Sequence, residues 1–389
     1  MGEVAREHRR CKKPPEALCY TEFSVEPVTS RRSFLKGAAL AIAAPAINIG
    51  RFCLFAQSDA VYSSRTLDLV RCSTVIDMLG LLTLDFRKFS SWADQPQSFR
   101  SSDFQRLKES GITVFHPSVG YTTGDVYSSS LRYVHGLNAF ISEHASEFLR
   151  VDRVADLDRA KASGKIGIVV GQQNSDHFRT VDDVDGFYTL GQRVSQLTYE
   201  RNRIGGGSGD PLDGLSDYGS QIVDRMNRVG MAVDVSHCSD RTTLDAIEAS
   251  QKPVLVTHSN CRVLVPNSGR CKTDEAIQRL AAKGGVFGVT MVRNFVQPGG
   301  RATIENVLDH VDHVVKLVGI EHVGLGSDVD LDGRDVRRPT KKYDLDGIDY
   351  AKKIFDLTEG LVHRNYSDQN IKLILGRNFQ RALSEIWTA

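Results

Sequence analysis

Eight times between Thr74 and Asp328 the chain repeats one pattern: a short apolar, β-branched run that ends on polar residues, then an amphipathic stretch. The runs are Thr74–Leu82, Ile112–Pro117, Ile166–Gly171, Val194–Thr198, Met231–His237, Pro253–His258, Gly285–Met291 and His322–Asp328. The stretches between them have helical spacing and helical punctuation. Ser216 stands as a cap before Tyr218, Ile222, Val223, Met226 and Val229, which share one face, and Gly230 ends the run. Ser239 and Thr273 precede two further helices in the same way, and Thr303–Val318 carries Ile304, Val307, Leu308, Val311, Val314 and Val315. Apolar strands alternating with helices require a parallel sheet covered on its outer face. Eight such units in about 310 residues predict one (β/α)8 barrel domain. An open doubly wound sheet would carry a glycine-rich phosphate loop opening a helix after an early strand. Gly205-Gly206-Gly207-Ser208-Gly209 opens no helix and reads as a mobile loop over the barrel mouth.

The first 60 residues are set apart as an address. Ser30-Arg31-Arg32-Ser33-Phe34-Leu35-Lys36 precedes the alanine-rich run Gly37–Ala46, the pattern of a twin-arginine signal. The run is about ten residues long, and a bilayer span needs roughly 20. The expectation is export of a folded protein to a bacterial periplasm by the twin-arginine machinery, with removal of the lead between Ala46 and Ala60. Residues 61–389 then form the barrel domain. Lys and Arg number 49 against 48 Asp and Glu, a formal net charge of +1, and aromatics are 8%. That balance, without basic runs, argues against nucleic acid or an anionic membrane as a partner. The seven cysteines form no CxxC pair, which excludes a zinc knuckle or a thioredoxin-like motif. Cys11, Cys19 and Cys53 fall in the lead; Cys238 and Cys261 read as small buried hydrophobes.

Barrels of this kind gather their chemistry at the C-terminal strand ends. The fifth run ends Asp234-Val235-Ser236-His237, the sixth Val256-Thr257-His258-Ser259, and the eighth Gly324-Leu325-Gly326-Ser327-Asp328. Imidazoles on adjacent strand ends can converge on one metal ion, at about 2.0–2.1 Å each for zinc. An aspartate across the mouth can then move a proton to or from an attacking water. His116, His177, His310, His313 and His322 read instead as surface or helix-packing residues.

The segments Gly214–Gly219 and Met226–His237 closely resemble the membrane dipeptidase family, as do Pro253–Ser259, Gly284-Gly285-Val286, His322–Asp330 and Leu375-Gly376-Arg377-Asn378-Phe379. The resemblance runs from about Thr74 to Leu383. It implies a (β/α)8 barrel that hydrolyses dipeptides with two zinc ions bridged by a glutamate. It implies His237 and His258 as ligands of one ion, Asp328 as the acid/base residue, and Arg270 as the grip on the substrate carboxylate, a task suited to a guanidinium. Family members pair, so a homodimer is an expectation.

Four departures cluster at strand ends. The family's first strand closes Asp-Gly-His-Asn-Asp; here Asp77-Met78-Leu79-Gly80-Leu81 stands there, without the histidine and the second aspartate that hold the other zinc. The bridging glutamate falls at Gln172, and a substrate-contacting histidine has become Tyr199. Asp77, with Gln172 as a carbonyl donor, is the expected supplement to His237 and His258 around one zinc ion; Glu200 and Asp176 are further carboxylates nearby. The functional expectation is a hydrolase of a small dipeptide-like substrate with a free carboxylate. Two other readings stay open: a silent homologue that binds a peptide-like or natural-product ligand, and a non-hydrolytic enzyme of natural-product maturation.

Overall fold

The computed structural model describes residues 62–387 apart from 298 and 336–341, so the expected signal lies outside the described residues. The strands are β1 (Ile76–Asp77), β2 (Val114–Phe115), β3 (Ser118–Val119), β4 (Phe148–Arg150), β5 (Ile166–Ile168), β6 (Val170–Gln172), β7 (Gln192–Gln196), β8 (Ala232–Asp234), β9 (Leu255–Ser259), β10 (Val286–Val289) and β11 (Val323–Leu325). Every pairing between them is parallel. β2 and β3 are two pieces of one stave interrupted at His116-Pro117, and β5 and β6 are two pieces of the next. Counted this way, the order β1, β2/β3, β5/β6, β7, β8, β9, β10, β11 returns to β1, which pairs with both β2 and β11. The sheet is a closed eight-stave barrel.

All eight predicted runs supply a stave. β4 is an addition that the periodicity did not reveal; it lies beside β5. Three residues are too few to show a period, and β4 is fixed by its aromatic neighbours. Phe148 packs against Phe99 at 5.4 Å and Phe140 at 5.0 Å between ring centroids.

The helix signals also act where the sequence put them. The Ser216 hydroxyl accepts from the Gly219 amide, Ser239 caps the helix Asp240–Ala249 and Thr273 caps Asp274–Ala282. Gly230 takes the left-handed conformation (φ 81°) that ends the helix Asp217–Val229. Thr303 and Asn306 form a capping box at the start of Ile304–Val318. Among the described residues no helix is long and apolar enough to cross a membrane. One apolar cluster joins residues of the first seven staves, from Ile76 and Val114 to Leu255 and Val286, to Phe379 and Leu383 of the C-terminal helix.

The seam between the first and eighth staves is held by a buried charge. Asp77 accepts from the Ser327 amide at 2.7 Å and from the Ser327 hydroxyl, and Lys353 Nζ lies 3.9 Å from its Oδ2; both ionic side chains are fully buried. Lys353 also donates to the Val329 and Asp330 carbonyls at 2.9 and 3.3 Å, tying the helix Lys353–His363 to the loop after β11. Burial pushes the Asp77 carboxyl up and the Lys353 ammonium down, and each opposes the shift of the other. Removing one partner leaves an uncompensated buried charge. Lys353→Met is therefore expected to destabilise the protein by about 3–5 kcal/mol. Adding Asp77→Asn to that variant should recover most of the loss in urea unfolding. A Lys353→Met protein as stable as the wild type would show that the pair is not ionic.

Candidate active site

His237 follows β8 and His258 lies within β9, so the adjacent staves bring the two imidazoles together with Nε2 atoms 3.0 Å apart. What aims them is a third buried residue. One Asp234 oxygen accepts from the Ser236 amide (2.9 Å), the Ser236 hydroxyl (2.5 Å) and the Thr257 amide (3.0 Å). Its other oxygen accepts from the Thr257 hydroxyl at 2.7 Å. A hydroxyl has one proton, so Thr257 Oγ1 must accept from His258 Nδ1 at 2.8 Å. His258 is thereby fixed with its proton on Nδ1 and its lone pair on Nε2. His237 turns its Nε2 to the same point as His258.

Two Nε2 lone pairs at 3.0 Å repel unless a proton or a cation lies between them. A zinc ion bound tetrahedrally at 2.0–2.1 Å from each nitrogen sets the nitrogens about 3.3 Å apart, so a few tenths of an ångström suffice. Burial, with Arg270 adding to it, holds both imidazoles well below their ordinary pKa. They are neutral at neutral pH and fit a metal ion as donors. Among the described residues no group of three His, Cys, Asp or Glu side chains surrounds one point.

A cavity of about 440 Å³ opens at the C-terminal ends of the staves. His237, Tyr199, Asp328 and Arg334 line it. Tyr199 stacks on His237 with 4.3 Å between ring centroids, and its ring occupies the space beside Gly120, where a Cβ would fall 2.5 Å from Tyr199 Cδ2. Asp328 has φ 56°, a left-handed conformation unusual outside glycine, held by its amide donating to the Leu79 carbonyl at 3.0 Å. Burial raises its carboxyl pKa; Arg334, 3.7 Å away, and Arg270 work against that rise. Gly326, just before it, has no room for a side chain, since a Cβ would collide with the Thr257 carbonyl.

Several expectations are corrected by this geometry. Asp77 is turned to Ser327 and Lys353 at the seam, so its carboxylate does not supplement the histidine pair. Gln172 donates through Nε2 to the Ser130 carbonyl at 3.3 Å, in the helix Val126–Glu143, a bond that does not involve its amide oxygen. Asp176 pairs with Arg203 at 2.8 Å. Arg270 is buried, donates through Nη1 to the Ser236 carbonyl (2.6 Å) and through Nη2 to the His258 carbonyl (2.8 Å), and does not line the cavity. The loop Gly205–Gly209 is packed rather than draped over the mouth. Gly206 accepts from the Ser239 amide, and the Ser208 amide donates to the His237 carbonyl. His116, His177 and His310 are buried, the last within the helix Ile304–Val318, so for these three the packing half of the expectation applies. His116 sits at the interruption of the second stave and bonds the Met78 carbonyl through Nδ1.

Sequence reasoning missed Asp234 and Arg334. Asp234 carried a signal, a lone charge closing an apolar strand three residues before a histidine. Arg334 carried none, because its loop has no period.

The Asp234–Thr257–His258 relay predicts that Thr257→Val weakens zinc binding by about 10- to 100-fold, the usual effect of losing an outer-shell partner. Thr257→Ser should retain affinity. Competition against a chelating dye measures both, and equal affinity in Thr257→Val would contradict the relay.

Known proteins share this architecture. The profile of the membrane dipeptidase family, peptidase family M19, matches residues 64–389. An uncharacterized dipeptidase of Schizosaccharomyces pombe is 31% identical over 67% of this chain and 63% of its own length. The dipeptidase verJ of Clonostachys rogersoniana is 34% identical over 58% of this chain and 56% of its own. The chain thus spans only part of the length of these two relatives. The structure of an amidohydrolase from Pseudomonas aeruginosa superimposes with a TM-score of 0.72 at 28% identity, over 83% of this chain and 99% of that one. The chain belongs to the membrane dipeptidase family of metallopeptidases.

Proposed function

We propose that the protein hydrolyses the amide bond of a small dipeptide-like carboxylate, with one zinc ion held by His237 and His258 and with Asp328 as the proton-transfer group. The observation that carries this reading is the convergence of the Nε2 atoms of His237 and His258, 3.0 Å apart, beside a cavity that His237 and Asp328 both line. Zinc suits a neutral imidazole pair, and a bound ion would polarise the scissile carbonyl and make water more acidic.

The chain's own groups do the rest. Burial raises the Asp328 carboxyl above the ordinary carboxylate value, which makes it a better proton acceptor. Its backbone bond to Leu79 and the neighbouring Ser327–Asp77 clamp hold it in place. Tyr199 covers His237 and offers an aromatic face to the substrate. Arg270 works one layer below, fixing the two strand-end carbonyls beside the histidines.

A second reading, a ligand-binding homologue without turnover, is favoured by the engagement of the Asp77 carboxylate at the barrel seam and by the neutral amide at Gln172. The site then lacks the anionic groups that would hold a second ion against a developing oxyanion. Losing one oxyanion-stabilising group costs about 10²–10³ in rate.

The discriminating experiment is a panel of L,L- and L,D-dipeptides assayed with zinc, manganese and cobalt. Slow turnover is expected, falling a further 10²–10⁴-fold in Asp328→Asn. Activity should be lost as pH falls, because the base becomes protonated, with the acid limb above the ordinary carboxylate value. Turnover untouched by Asp328→Asn would overturn the assignment; substrate binding without turnover would favour the second reading.

A further inference from the structure

The cavity's wall after the first stave is apolar. Leu81, Leu82 and Leu84 line it, and Phe89, Tyr121 and Tyr133 contribute aromatic surface to the same space. Leu81 stands where the family resemblance puts a charged metal ligand, so this side of the site offers burial and no ionic contact. A volume of about 440 Å³ exceeds what a pair of small amino acids needs and suits a ligand with a larger body.

The same cavity presents an under-used guanidinium. Arg334 Nε is buried with no hydrogen-bond partner among the described residues. Arg334 Nη2 reaches Asp328 only through long contacts, 3.5 Å to the carbonyl oxygen and 3.7 Å to Oδ1. Its guanidinium carbon lies 5.5 Å from the centre of the Tyr343 ring. A buried donor left unpaired is costly, and an arginine fork pairs best with a planar oxyanion. Arg270 also keeps a buried Nε without a partner, but one N–H of each of its terminal nitrogens is spent on a backbone carbonyl and, unlike Arg334, it is not among the residues that line the cavity.

We infer that the cavity selects carboxylates with a bulky apolar or aromatic arm, the acid taken by Arg334 and the arm laid against the leucine and aromatic wall. The inference names the substrate class of the reading above and rests on it only for the claim that such ligands are substrates. Binding itself is separable from turnover.

The test uses probes without an amide bond: 5-phenylpentanoate, butyrate and 5-phenylpentan-1-ol, titrated calorimetrically into the purified full chain. The long acid should bind at least about tenfold tighter than butyrate and at least about tenfold tighter than the alcohol, as the loss of a charge-assisted pair or of a buried arm would predict. Arg334→Met should remove the preference for acid over alcohol and keep the preference for the long arm. Leu81→Asn should do the reverse, and Leu84→Asn, at a half-buried position, supplies the same measurement should Leu81→Asn fail to fold. Equal affinity for acid and alcohol in the wild type, or an acid preference that survives in Arg334→Met, would overturn the inference. Failure of every dipeptide to be hydrolysed would leave these affinities unchanged and would count only against the hydrolytic reading.

Discussion

The barrel and its candidate site both depend on the seam at which β1 meets β11. A two-residue strand contributes little ladder of its own, and here the closure is reinforced by Asp77, which takes the backbone and side-chain protons of Ser327. The next residue, Asp328, projects into the cavity. Its left-handed backbone is tolerable because the residue before it and the Leu79 carbonyl are both fixed to the first stave. A buried carboxylate at the seam thus links barrel closure to the placement of the Asp328 carboxylate at the cavity.

Asp234 plays the matching part on the opposite side. It is buried, carries four hydrogen bonds to Ser236 and Thr257, and through Thr257 sets the proton on His258. The two acidic residues that close β1 and β8 therefore act on protein groups, while His237, Tyr199, Asp328 and Arg334 face the cavity. Leu79 and Leu81 are well buried, so they extend the apolar packing where charged ligands would otherwise need partners.

The staves and helices were legible because their signals are local: β-branched runs, serine and threonine caps, and a glycine at a helix end. The histidine pair and Asp328 were legible because each stands at the polar end of an apolar run. Asp77 misled because sequence gives a residue's chemistry and not its direction; its carboxylate faces Ser327 and Lys353, the latter 276 positions further along the chain. Arg270 misled for the same reason, being aimed at two carbonyls. The glycine run Gly205–Gly209 looked like a mobile loop, but there glycine permits close packing: a Cβ on Gly205 would lie 2.9 Å from the Gly214 carbonyl. Contacts made across such distances have no signature in periodicity, and Arg334 could be found only from them.

The central claim is that this site binds one metal ion through His237 and His258 and has no second ion. Elemental analysis of the purified full chain, supplied with excess zinc and then freed of loosely held metal, tests it most directly. One zinc per chain, falling to background in His258→Ala with the fold intact, is the predicted result. Two ions per chain, or an undiminished single ion in His258→Ala, would contradict it.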